Sequence, residues 1–349
     1  MENKNISIGI IGHFGGKRVF TDGQTVKTKS VYNGLIRAGY TNIAYADTYF
    51  IKRNPVRFIY QFCLTIKRSK KIIVLLSKRG RGILFPFLQR MNQKKDIYHY
   101  AIGGNISKEA RISSKFYKQI SLFKYNWVES NIIKEELNGI GIQNARYIPN
   151  FKCISKISKD ELNYSFEMPI PFCTFSRVVF EKGIEDAIDA INKVNNIFMK
   201  NVVRLDIYGP ISPNYSKRFQ NILDKNKNNL IRYCGIISPD QSVATLKKYY
   251  MLLFPSFWNA EGMPGTIIDA LFSGLPVIAR EWKFCQELIE NNITGYIYDH
   301  DKPEELYKLI IKSIQDAESI KRMRNNCLNR AELFDEKKVI KEICHLMEI

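Results

Sequence analysis

Two carboxylates, Glu261 and Asp269, flank a run of turn formers, Gly262, Met263, Pro264 and Gly265, inside the stretch FPSFWNAEGMPGTIIDALFSGLPVIA. Carboxylates accept hydrogen bonds, so a pair of them suits a ligand rich in hydroxyl donors. The apolar run 251–254 before them predicts a buried strand, and residues 256–261 a loop. Residues 266–272 predict a short helix with Pro264 at its entrance, stopped by Gly274, and residues 275–279 a second buried strand. A helix entrance gathers N–H groups without intrahelical partners and the positive end of the helix dipole, where an anion such as a diphosphate is favoured. Side chains on a helix lean toward its N-terminus, so Asp269 leans toward the same mouth as Glu261. A nucleotide-sugar offers both a diphosphate and hydroxyls.

Glu261-x7-Asp269, followed by Ala270 and SGLPVIA, resembles the E-x7-E signature of glycosyltransferase family 4 (group 1), retaining enzymes of GT-B fold. The second acid here is Asp, one methylene shorter than the Glu of that signature. Arg177-x4-Lys182-Gly183 resembles the family's R-x4-K-G element, whose two cations bind the donor diphosphate. Fixed positive charge suits that ligand, and the planar fork of Arg can bind it bidentately. The resemblance implies an α/β architecture of two Rossmann-like, doubly wound parallel-sheet domains facing a central cleft. It implies transfer of a sugar with retention, from a UDP- or GDP-linked co-substrate, with no other cofactor and no metal. Glu261 would orient the donor sugar, Asp269 would hold the ribose, and Gly262, Met263, Pro264, Gly265 and Thr266 would line the phosphates. The turns at Gly209-Pro210 and Gly235 would lie near the base and phosphates. The one D-x-D, Asp299-His300-Asp301, reads as a helix entrance.

Upstream, an opening strand at residues 6–11 leads into the loop GHFGGKRVFTDGQTVKT. Its glycines permit close backbone approach, but their spacing is not that of a dinucleotide fingerprint. The family carries a comparable loop, which places Gly15 and Gly16 at the donor. The segment 22–28 resembles a stretch of bacterial polysaccharide members, implying acceptor-side or phosphate contact. Family members often set a histidine beside the donor sugar. His99, near the end of the strand IYHYAI, is the first candidate and His13, in the glycine loop, the second.

The elements that position these residues fit two domains, since 349 residues exceed one ordinary core. The expected division is 1–150 with about 334–349 crossing back, a lysine-rich linker 151–170, and a donor domain 171–333. No apolar run reaches the roughly 18 residues of a membrane span, so a cytoplasmic chain is expected. Seven scattered cysteines without a CxxC pair read as reduced thiols, not as a metal or disulfide framework. The net charge of +19 is uneven: residues 1–150 hold 26 Lys and Arg against 8 Asp and Glu. Residues 51–95 hold 13 Lys and Arg and no acid, interleaved with large apolar side chains. Basic amphipathic helices of this kind suit an anionic membrane surface. Together these features point to peripheral attachment on the inner face of the cell membrane and a lipid-linked saccharide acceptor, in capsule, O-antigen or exopolysaccharide assembly. The alternatives are GT-B chemistry of another kind, an epimerase or a soluble-acceptor transferase, and a basic nucleic-acid-binding protein. The last lacks any RRM, KH or zinc pattern.

Overall fold

The computed structural model describes residues 6–18, 22–91, 94–226 and 229–349. The middle of the glycine loop, 19–21, lies outside them. The chain divides into two compact units, Met1–Cys153 with Leu333–Ile349, and Ile154–Glu332.

The first unit is built on six parallel strands, β1 Ile8–Gly12, β2 Ile43–Asp47, β3 Lys71–Leu75, β4 Asp96–Tyr100, β5 Tyr125–Val128 and β6 Ala145–Tyr147. Their order is β2-β1-β3-β4-β5-β6. Every residue of β1 and β3 is buried, as expected of parallel strands covered on both faces. The helix Gly23–Arg37 connects β1 to β2, and it begins ahead of the apolar periodicity because the Asp22 side chain accepts from the Thr25 N–H at 3.1 Å. With the terminal helix Glu336–Met347 it covers one face, where Val31, Leu35, Val339, Ile340 and Ile343 pack with Ile8, Ile10, Tyr98 and Trp127. The connections from β2 to β3 and β3 to β4 step the opposite way along the sheet, so right-handed crossovers put their helices, Pro55–Arg68 and Lys78–Met91, on the other face.

The second unit has six parallel strands, β7 Ile170–Phe175, β8 Val203–Tyr208, β9 Ile231–Tyr233, β10 Met251–Phe254, β11 Val277–Arg280 and β12 Gly295–Tyr298, in the order β12-β11-β10-β7-β8-β9. The helix Ile184–Ile197 buries Ile184, Ala187, Ile188 and Ile191 as its spacing predicts. Residues 154–170 are not a separate linker. Ile157 and Leu162 are buried, and the Ile157 N–H donates to Phe272 O at 3.0 Å, so two apolar side chains anchor this lysine-rich stretch to the second unit.

Candidate functional site

Strand order locates the site within the second unit. From β7 the chain builds outward through β8 to β9, then returns to the other side of β7 with β10. The loops that follow β7 and β10 therefore diverge from neighbouring strands, which makes the crevice at their carboxyl ends the switch point where open α/β sheets bind ligands. The first loop carries Arg177 and Lys182. The second carries Ser256 and Glu261 and enters the helix Gly265–Phe272, with Pro264 in extended conformation just before it.

These loops bring the expected charges together. Lys182 Nζ is ion-paired with Glu261 Oε2, and both side chains are about nine-tenths buried. Ser256 Oγ donates to the same carboxylate oxygen at 2.7 Å. The Phe257 N–H donates to Glu181 O at 3.0 Å, tying the loops through the main chain. Arg177 is exposed, and its guanidinium lies 5.4 Å from the Trp258 ring centre. One cation is thus neutralised by a carboxylate, whereas the other rests on an aromatic face. At the helix entrance the Thr266 hydroxyl oxygen is buried without a hydrogen-bond partner. Asp269 lies in the second turn and is buried. Met263 is buried as well, so its side chain does not line an open site. Gly262 O accepts from the Trp282 indole N–H at 2.9 Å.

Two glycines are there for reasons of space and conformation. Gly209 follows β8 with φ +134°, and a Cβ on it would stand 1.8 Å from Ser176 O. Gly183, at φ +68°, would place a Cβ 2.2 Å from Pro255 O. Both positions mark main chain passing close to main chain, which only glycine permits. The Gly209 N–H donates to Gly235 O at 2.8 Å and the Ser176 N–H to Tyr208 O at 3.1 Å, so the turns after β7, β8 and β9 are linked by backbone bonds. The D-x-D lies beyond β12, where Asp299 accepts from the Asp301 N–H at 2.9 Å and pairs with Lys302 at 3.2 Å.

The model of the family described as "Glycosyl transferases group 1" matches residues 159–330, the span that holds all of these loops. These residues are a group 1 glycosyl transferase domain. The chain is 30% identical over 153 residues to the UDP-N-acetylglucosamine–peptide N-acetylglucosaminyltransferase GtfA subunit of Streptococcus agalactiae, covering 43% of this chain and only 28% of that one. It is 24% identical over 312 residues to an uncharacterized glycosyltransferase of Methanocaldococcus jannaschii, covering 88% and 75%. Among solved structures, Anabaena HepE in complex with UDP and glucose superposes with TM-score 0.72 at 13% identity, covering 99% of this chain and 100% of HepE. That likeness shows the fold, GT-B, with two Rossmann-like parallel-sheet domains.

Outside the group 1 glycosyl transferase domain the structure corrects two expectations. His99 does not reach a ligand. It is fully buried in β4, donates from its ring Nδ1–H to Asn126 Oδ1 at 2.9 Å, and is packed by Phe85 and Phe123. Burial, aided by the nearby Arg81 charge, lowers its pKa to about 3, so it is a neutral packing residue. Strand alternation turns its side chain away from the face occupied by Tyr98 and Tyr100. Gly15 and Gly16 have no amides to spare for a phosphate. The N–H groups of Phe14, Gly15 and Gly16 donate to the buried Asp47 carboxylate at 2.8, 3.4 and 2.8 Å, and Tyr49 adds a fourth at 3.0 Å. Lys27 of the segment 22–28 is likewise committed: it is buried, paired with Glu129 at 2.7 Å and bonded to Ala101 O at 3.0 Å. His13 is the more accessible histidine, half-buried and 2.7 Å from Thr25 Oγ1, which in turn donates to Asp22.

Ser256 and Trp258 were not expected at the site. Their only sequence signal is position, five and three residues before Glu261 on the loop that must deliver it.

Proposed function

We propose that the protein is a retaining glycosyltransferase that moves a sugar from a UDP- or GDP-linked donor to a lipid-linked saccharide in cell-surface polysaccharide assembly. The observation that carries this reading is the convergence of Lys182, Glu261 and the entrance of the helix Gly265–Phe272 at the switch point of the second sheet. Arg177 and Lys182 hold the diphosphate, with the first-turn amides of the helix, and stabilise the charge that develops as it leaves. Charge-assisted bonds of this kind are worth about 1.5–3 kcal/mol each. Glu261 takes the sugar hydroxyls and Asp269 the ribose. The HepE structure, with UDP and glucose, supports a nucleotide-sugar as the donor class.

A membrane-borne acceptor is supported by the first unit. No helix among the described residues is long and apolar enough to cross a membrane. The helix Pro55–Arg68 instead turns Val56, Ile59 and Tyr60 to solvent, 78%, 58% and 67% exposed, and the helix Lys78–Met91 adds Phe87 at 55%. Residues 56, 59, 60 and 63 follow the spacing of one helix stripe, flanked by exposed Arg57, Lys67 and Arg68. An apolar stripe among cations fits the boundary of an anionic bilayer on the inner face of the membrane.

A thermal-shift panel of UDP-, GDP- and ADP-sugars tests the donor site. One donor class should raise the melting temperature, and its turnover should persist in EDTA and keep the anomeric configuration by NMR. A panel without any shift, or a product of inverted configuration, would refute the reading.

A further inference from the structure

We propose that the Lys182–Glu261 pair selects the intact nucleotide-sugar over the nucleoside diphosphate that transfer leaves behind. The inference rests on the donor site described above and concerns what happens to the pair when that site fills.

In the structure the two groups satisfy one another. Their side chains are 10% and 9% exposed, so neither can turn to bulk water for a replacement partner. A diphosphate that engages Lys182 takes the counter-charge from Glu261. A buried carboxylate left behind in this way is strongly unfavourable. What remains to it is the Ser256 hydroxyl at 2.7 Å, one donor for a group that can accept about four. A ligand that brings its own donors beside the phosphate removes the difficulty, and sugar hydroxyls are such donors.

The two halves of the ligand therefore act on the two halves of the pair. The donor's phosphate replaces Glu261 at Lys182, and the donor's sugar replaces Lys182 at Glu261. The bare diphosphate does only the first. Once the sugar has left, the pair re-forms and displaces the product. The same pairing leaves no uncompensated lysine to gather cellular phosphates. Arg177 plays no part in the exchange: it is exposed and stands against Trp258, so it greets donor and product alike.

Calorimetric titration of the full chain separates the possibilities, with UDP, GDP and ADP as bare diphosphates and UDP-glucose, GDP-mannose and ADP-glucose as their sugar-linked counterparts. The wild type should prefer the sugar-linked member of its cognate pair by roughly tenfold or more, the scale of one charge-assisted hydrogen bond. Glu261→Gln frees Lys182 from its counter-ion, so it should bind the bare diphosphate roughly tenfold more tightly than wild type and lose the preference for the sugar-linked form. Ser256→Ala, which leaves the ion pair itself in place, should move the opposite way and weaken the bare diphosphate more than the sugar-linked form. Should Glu261→Gln fail to fold, the Ser256→Ala comparison decides alone. Equal affinity of wild type and Glu261→Gln for the bare diphosphate, or equal weakening of both ligands in Ser256→Ala, overturns the exchange while leaving the donor site intact. Failure of the wild type to bind any of the six overturns the donor site and the exchange with it.

Discussion

Neutralising Arg57, Lys67 and Arg68 together, by substitution to Gln, should detach the protein from anionic membranes. All three side chains are exposed on the helix Pro55–Arg68, so the change leaves the core of the first unit untouched. A Lys or Arg near an anionic leaflet is worth about 1 kcal/mol, so three of them contribute about 3 kcal/mol. At 1.4 kcal/mol per factor of ten, that is a fall of roughly 100-fold in the partition coefficient. Flotation with phosphatidylglycerol vesicles in low salt reads this directly. The wild type should float, and the triple variant should stay in the load. Raising the salt toward 1 M, where the screening length shrinks to about 3 Å, should reduce wild-type flotation in the same way. Replacing Ile59 and Tyr60 with Ser separates the apolar part: flotation should weaken but retain its salt sensitivity. A triple variant that floats as well as wild type at low salt would refute the assignment of this face to lipid. Retention of the triple variant on vesicles but loss from oligonucleotides would instead mark the surface as one for nucleic acid.

Two further outcomes follow from the site and from the buried histidine. Gly209→Ala should lower the unfolding free energy of the second unit by about 2–3 kcal/mol, because the new methyl stands 1.8 Å from Ser176 O at a φ of +134°; urea denaturation measures it, and an unchanged midpoint would contradict the close approach. Stability should also fall as the pH drops from 6.5 toward 3. The folded state holds His99 neutral, with a pKa near 3, whereas the unfolded chain protonates it below its ordinary 6.5, so the contribution is complete above 6.5 and is lost on acidification. Urea midpoints at pH 7 and pH 5 should differ for the wild type and differ less for His99→Gln, whose donor affinity should match wild type.

The strand–loop–helix–strand layout around Glu261 could be read in advance because its pattern is local in the chain. The Glu261–Asp269 spacing, the glycines between and the strands either side form one strand–loop–helix–strand unit, and the helix forms over Gly265–Phe272, one residue from its expected start. What escaped were partners far apart in sequence. Lys182 meets Glu261 across 79 residues, and Gly16 meets Asp47 across 31, so neither pairing leaves a trace in local composition. An anion-binding loop whose anion is a side chain of the same protein has the same glycines as one that holds a phosphate. His99 failed for a different reason. Period-two alternation fixes which residues of a strand share a face, but not which face meets a ligand. The stretch 151–170 looked like a linker because it carries no regular apolar pattern, and two apolar side chains were enough to fasten it.

The last residues of the chain complete the first unit. Val339, Ile340 and Ile343 fill the same core as Ile8 and Ile10, and Met347 joins them. A chain emerging from the ribosome therefore finishes the second unit, Ile154–Glu332, while the first still lacks the helix that shares one face of its sheet with Gly23–Arg37. Biogenesis is out of step with residue number: the half that starts first is the half that finishes last. A premature stop near residue 333 would damage the amino-terminal unit and spare the one nearer the break.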